Sequence, residues 1–228
     1  MLSTARNRAL FCAAIVLVCF GVGAEEMQGA LSCESTDGEA SELVHAQSGV
    51  RRIQPHVLEI RTKKGVRRFS DQPPHTDGEM GGVHWRYCGF NSDMKAHLIG
   101  RTDAGIHSGE LLMIESGKRI PAGHTVLVSP RGKMYLAIEQ NAGEDGENWS
   151  IHDRAGKTLW KGYAGTITTV DGVETVTATF DRPAWVANDR LTARSICAGS
   201  KIEGTVSLTV SLRGTSAWQG QVKCEPND

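Results

Sequence analysis

Histidines and carboxylates gather in a few short stretches of this chain. His75, Asp77 and Glu79 fall in one, Asp103 and His107 in the next; His124 follows, then Glu144, Asp145 and Glu147. Imidazole and carboxylate oxygens together can bind zinc or calcium, so His75, His107, His124 and Asp145 form one candidate metal set. There is no HExxH and no HxH, and residues 141–147 alternate oxygen-bearing side chains without the spacing of an EF-hand loop. Ser108 follows His107, but adjacency along a chain does not bring a hydroxyl to an imidazole, and GxSxG is absent. Ser108 therefore reads as a turn residue. No cofactor is expected, because no glycine-rich phosphate loop opens a helix. Loops on a rigid scaffold are common binding devices. On that ground Asp103, His107, Glu144, Asp145 and Glu147 form a candidate partner-binding set, against the plainer reading of solvated loop tips.

These residues must be positioned by the elements around them, and a repeat suggests which. Ala96-His97-Leu98-Ile99, Asp103-Ala104-Gly105, Glu110-Leu111-Leu112-Met113-Ile114 and Gly117-Lys118 recur as Met134-Tyr135-Leu136-Ala137-Ile138, Asn141-Ala142-Gly143, Asn148-Trp149-Ser150-Ile151 and Gly156-Lys157. The offset is 38 residues at Leu98/Leu136 and 39 at Gly117/Gly156. Extended back to Val83, where Val83, Trp85 and Tyr87 alternate with polar neighbours, each copy reads as a four-stranded meander. Residues 103–109 and 141–147 are expected as loops. Residues 56–69 read as a hairpin turning at Lys63-Lys64-Gly65, a partial copy of the same unit. An up–down meander places 70–83, 103–109, 123–124 and 141–147 at one end, which is rich in His and acids. The other end carries Lys118, Arg131, Lys133 and Lys157.

Ser129-Pro130-Arg131-Gly132-Lys133, followed by Tyr135-Leu136-Ala137, resembles the S-P-D-G-K turn and next strand of β-propeller blades of the periplasmic, Tol-associated kind. Proline presets φ and glycine takes φ > 0 in such a turn, and a unit of 38–39 residues suits a four-stranded blade. The resemblance covers residues 83–162 and implies blade-like meanders. Arg131 stands where the blade turn carries an acid, and two full units fall short of the roughly 4–8 blades of a closed propeller.

Residues 165–228 change in character. Asp171-Gly172 is a two-residue hairpin turn. Val206, Leu208 and Val210 alternate with Ser207, Thr209 and Ser211, as in a half-buried antiparallel strand. A β-sandwich-like module is expected there. Nowhere after residue 24 is there a run with helical i, i+3, i+4 spacing. Residues 25–52 read as an arm with one or two strands.

The first 24 residues look like a secretory signal peptide. Arg6 and Arg8 precede an uncharged apolar run, 9–22, too short to span a bilayer comfortably, and Val22-Gly23-Ala24 offers small residues for cleavage. Cleavage leaves Cys33, Cys88, Cys197 and Cys224, an even count that in an exported protein favours two disulfides. Of the three pairings, Cys33–Cys88 and Cys197–Cys224 keep each bridge within one half of the sequence. Without Arg6 and Arg8 the 25 Lys and Arg fall to 23 against 26 Asp and Glu, a formal charge of −3. Such a balance argues against nucleic-acid binding. The expectation is an all-β protein: a blade-like meander over 25–164, with two full units and a partial one, and a C-terminal module over 165–228. It would be periplasmic or secreted, without a stable membrane span after cleavage. Its expected work is non-enzymatic binding of another envelope or secreted protein, as a periplasmic inhibitor or immunity-type protein does. The alternatives are a metal-binding protein or metal-dependent hydrolase of the envelope, and a structural envelope component.

Overall fold

The computed structural model describes residues 30–33, 38–46, 49–74, 81–140, 146–170, 172–211, 216–220 and 224. The signal-peptide reading of residues 1–24 and the candidate residues His75, Glu144 and Asp145 lie outside the described residues.

Four antiparallel sheets follow one another along the chain. The first is β2 (Val50–Gln54), β3 (Val57–Thr62) and β4 (Gly65–Ser70). The second is β5 (Val83–Asn91), β6 (Ala96–Asp103), β7 (Ile106–Met113) and β8 (Arg119–Ala122). The third is β9 (Thr125–Val128), β10 (Met134–Gln140), β11 (Glu147–Asp153) and β12 (Thr158–Tyr163). The early strand β1 (Ala30–Ser32) adds itself beside β9. The fourth is β13 (Gly165–Val170), β14 (Val173–Ala187), β15 (Arg190–Cys197), β16 (Glu203–Thr209) and β17 (Trp218–Gln219). The two full meander units and the partial one are thus present, and each is its own sheet.

The sheets stack in chain order through three cores. Leu58, Ile60 and Phe69 of the first meet Tyr87, Ile99 and Leu112 of the second. Leu98 and Leu111 of the second meet Val126, Val128 and Tyr135 of the third. Leu136, Ile138, Trp149 and Ile151 of the third meet Phe180, Leu191, Val206 and Leu208 of the fourth. The two middle sheets are covered on both faces, so their strands carry unbroken apolar runs such as Leu111-Leu112 and Val126-Leu127-Val128. The outer sheets keep the alternation of one wet face, clearest in β15 and β16. The fourth sheet supplies one layer of a sandwich whose other layer is the third sheet. That core therefore crosses residue 164.

Turns at one end nest unit onto unit. Gly132, at φ 60°, sits against the backbone of Asp93, and Arg154 Nη2 donates to Met94 O at 3.0 Å. Lys118 Nζ donates to Ala155 O at 3.3 Å. In the Ser129-Pro130-Arg131-Gly132 turn, the amide of Arg131 is held by Asn188 Oδ1 of the fourth sheet at 2.9 Å.

Both expected disulfides are present, Cys33–Cys88 and Cys197–Cys224, closing separations of 55 and 27 residues. They are compatible with an oxidising, exported location. No helix among the described residues is long and apolar enough to cross a membrane.

Two expectations need correction. A helix, α1 (Gly38–His45), lies in the arm that reads as strands. At eight residues it is too short to show a helical period, and its place is set by tertiary contacts. Glu39 Oε1 accepts the amide of Tyr87 at 2.7 Å, the Glu39 carboxylate also holds Arg52, and Leu43 packs on the first core. Residues 103–109 are not a loop. β6 and β7 join through Ala104 (φ 49°) and Gly105 (φ 83°) alone, and His107 and Ser108 are strand residues. Two consecutive positive φ values make the tight primed turn that matches strand twist, so pairing continues to the tip.

Candidate functional site

The second core runs out at the end carrying this β6–β7 turn, and it does so because of glycines. The register across the second sheet sets Arg86 beside Gly100 and Gly100 beside Gly109. A side chain is missing at two neighbouring positions, so other backbone can lie directly on the sheet. The Cys33–Cys88 bridge covers Gly100, where a Cβ would stand 2.7 Å from Cys33 Sγ. The crossover to the third sheet covers Gly109, where a Cβ would stand 2.2 Å from Gly123 O. His124 follows in that crossover, and its carbonyl accepts the amide of Cys33 at 2.8 Å.

Beyond these contacts the two sheets separate into a cleft of about 270 Å³. Arg86, Arg101, Thr102 and His107 line it from the second sheet, with Ser108 beside them, and Cys33 and His124 close it from the other side. Thr102 and His107 are direct cross-strand partners, with Thr102 Oγ1 and His107 Nδ1 3.1 Å apart. Arg101 pairs with the Asp103 carboxylate, and its guanidinium lies 5.9 Å from the centre of the Trp85 ring. Among the described residues, no aspartate or glutamate lines the cleft.

The candidate residues separate on this frame. His107 and His124 meet on the cleft. Asp103 sits one residue from Thr102 in β6 and so on the opposite face from His107, turned toward Arg101. Glu147, at the start of β11, accepts the indole N–H of the fully buried Trp149 at 2.9 Å. Among the described residues, no group of three His, Cys, Asp or Glu is placed to hold a metal ion. Ser108 Oγ donates to Arg101 O at 3.4 Å and His107 bonds Thr102, so this adjacent Ser and His are spent on separate partners.

Arg86, Arg101 and Thr102 are cleft residues that the sequence does not single out. The signal was there in weak form: an Arg and a Gly placed to be cross-strand neighbours next to a cysteine.

A second Ser–His pair lies deeper. Ser150 Oγ and His152 Nε2 are 2.8 Å apart, His152 Nδ1 reaches Thr158 Oγ1 at 3.3 Å, and the imidazole stacks on Tyr135 with centroids 5.0 Å apart. Both Ser150 and His152 are buried, and neither lines the cleft. Burial pushes the His152 imidazole below its ordinary pKa, which keeps the ring neutral and suits a core hydrogen-bond relay. His97 follows the same logic. It is buried beside Tyr87, whose hydroxyl is 3.1 Å from its Nδ1, and desolvation pulls it down to about 4.

Compared with known protein families, curated proteins and solved structures, the chain matches none.

Proposed function

We propose that this is an exported, non-enzymatic protein that binds another envelope or secreted protein, in the manner of a periplasmic inhibitor or immunity-type protein. The observation that carries this reading is the size and setting of the cleft. At about 270 Å³ it falls below the roughly 300–1,000 Å³ of sites that enclose small molecules. It suits one protruding side chain of a larger partner. It sits at the end of a stack of sheets pinned by a disulfide, and such scaffolds hold a binding surface with little ordering cost. The two disulfides support export, and the periplasm or the extracellular space is the proposed location.

Affinity capture from an envelope extract tests this. The full chain should retain one protein in stoichiometric amount, and the purified pair should re-form. Thr102→Trp, which fills the cleft, should abolish the pair, and Lys133→Gln at the opposite end should leave it intact. A pair that survives Thr102→Trp removes the cleft end from the interface.

One observation favours a second reading. His107 and His124, two of the four residues in the metal set with His75 and Asp145, share the cleft. A metal-binding protein or metal-dependent hydrolase would carry metal after purification and lose stability or activity with a chelator.

A further inference from the structure

We propose that the outer face of the first sheet docks on an anionic membrane surface, with Arg51, Arg61 and Arg68 meeting the lipid phosphates. The chain divides its charge unevenly. Residues 50–70 hold seven Lys and Arg against one Glu, while the other residues hold 18 Lys and Arg against 25 Asp and Glu. A basic sheet thus belongs to a chain whose remainder is acidic, and such asymmetry points to an anionic surface as partner.

Register decides where these cations go. Leu58 and Ile60 enter the first core, so strand alternation turns Val57, Glu59 and Arg61 of β3 outward. Their cross-strand partners share that face: Arg51 and Arg68 flank Glu59, and Val66 lies beside Arg61. Arg52, Lys63 and Arg67 bond elsewhere, to Glu39, Glu115 and the Gly117 carbonyl. Glu59 is the one acid among the strand residues of the outer face. Arg51 Nη2 donates to its Oε1 at 2.7 Å, and Arg68 Nε to its Oε2 at 3.0 Å. The carboxylate is buried between them, while both arginine side chains stay 66% exposed. Arg61 and Val66 are exposed too, and Lys64 adds a charge in the turn beside them. The face therefore presents an excess of cations with aliphatic side chains among them. A bilayer fits it better than a folded acidic partner. Attraction to a charged plane depends on how many cations lie within a Debye length of it and needs no shaped pocket. The acidic remainder of the chain is repelled by the same plane, which orients the molecule with the first sheet down.

Vesicle co-sedimentation of the whole disulfide-bonded protein tests this. The probes are phosphatidylcholine vesicles, the same vesicles with about one-third phosphatidylglycerol, and soluble polyglutamate. The anionic vesicles should bind at least about tenfold more tightly than the neutral ones, and salt should erase the difference. Arg61→Gln should weaken anionic binding about fivefold, and Arg61→Lys should not, because a charged plane reads charge rather than the guanidinium fork. Glu59→Gln removes the one carboxylate of the face and should strengthen binding about fivefold, a gain that a structural role would not produce. If its circular dichroism shows that Glu59→Gln has unfolded, the Arg61 pair carries the test. Lys133→Gln in the third sheet should change nothing. Equal affinity for the two vesicles, binding that ignores salt, or an Arg61→Gln variant that binds undiminished overturns the proposal. So does polyglutamate bound as tightly as the anionic vesicles, which would make an acidic polymer the partner. Thr102→Trp should leave vesicle binding intact, so this face and the cleft fail separately.

Discussion

Gly100 lies against Cys33 at the wall of the cleft, with room there for sulfur but not for a methyl group: a Cβ on Gly100 would stand 2.7 Å from Cys33 Sγ and 3.0 Å from Cys88 Sγ. Gly100 needs no left-handed backbone, so Gly100→Ala is a steric probe free of backbone strain. It should cost about 1–3 kcal/mol through overpacking. Cys33→Ser with Cys88→Ser should cost about 4 kcal/mol, from the chain-entropy estimate for a loop of 55 residues. In that background the added cost of Gly100→Ala should shrink, since the two changes share one contact. Urea denaturation of the four proteins without reductant measures the coupling; full additivity would show that the alanine clashes elsewhere.

The crossover between the second and third sheets is tighter still. A Cβ on Gly123 would stand 1.8 Å from Ile138 O, and backbone cannot swing aside as a side chain does. Gly123→Ala should cost more than about 3 kcal/mol or prevent folding. Gly105 has φ 83° and nothing within 4 Å of its Cβ position, so Gly105→Ala should cost only about 1–2 kcal/mol, for backbone conformation alone. The order of the two midpoints is the readout.

Stability should fall in mild acid because His97 is buried neutral. Its folded-state pKa is near 4, below the 6.5 of an exposed imidazole. Between those values the unfolded chain binds the proton and the folded chain does not, so unfolding gains as pH drops. The stabilisation is complete above pH 6.5 and is lost as pH falls toward 4, by up to about 3 kcal/mol. His152 is depressed too and acts in the same direction. Urea midpoints from pH 7 to 4 should show this slope, and His97→Gln, which keeps a partner for the Tyr87 hydroxyl, should flatten it. An unchanged slope would place the acid sensitivity elsewhere.

Glu147 is placed to stabilise the fold. Glu147→Ala strands the indole N–H of buried Trp149 and should cost about 1–3 kcal/mol, while Glu147→Gln keeps an acceptor and should cost less. If both variants weaken partner capture equally at unchanged stability, Glu147 belongs to the interface instead.

Much of the fold could be read from the chain because its signals are local. Tight turns need glycine at Gly117, Gly132 and Gly156, and each of these has positive φ where the repeat predicts a turn. Period-two alternation in β16 marks a sheet with one wet face, and the even count of cysteines after residue 24 points to two bridges. The unbroken apolar runs of β9 and β10 also carry information, since only strands covered on both faces can afford them. Helix α1 escaped because eight residues hold too little period, and its anchor, Glu39 on the Tyr87 amide, spans 48 residues. The candidate site was the least legible part. Spacing along the chain groups Asp103 with His107, whereas a two-residue turn puts them on opposite faces of one sheet. Arg86 joins His107 and His124 only because cross-strand register, two adjacent glycines and a disulfide bring three distant segments to one gap between sheets. Register and stacking are long-range choices, decided by which apolar faces bury each other, and no window of sequence contains them.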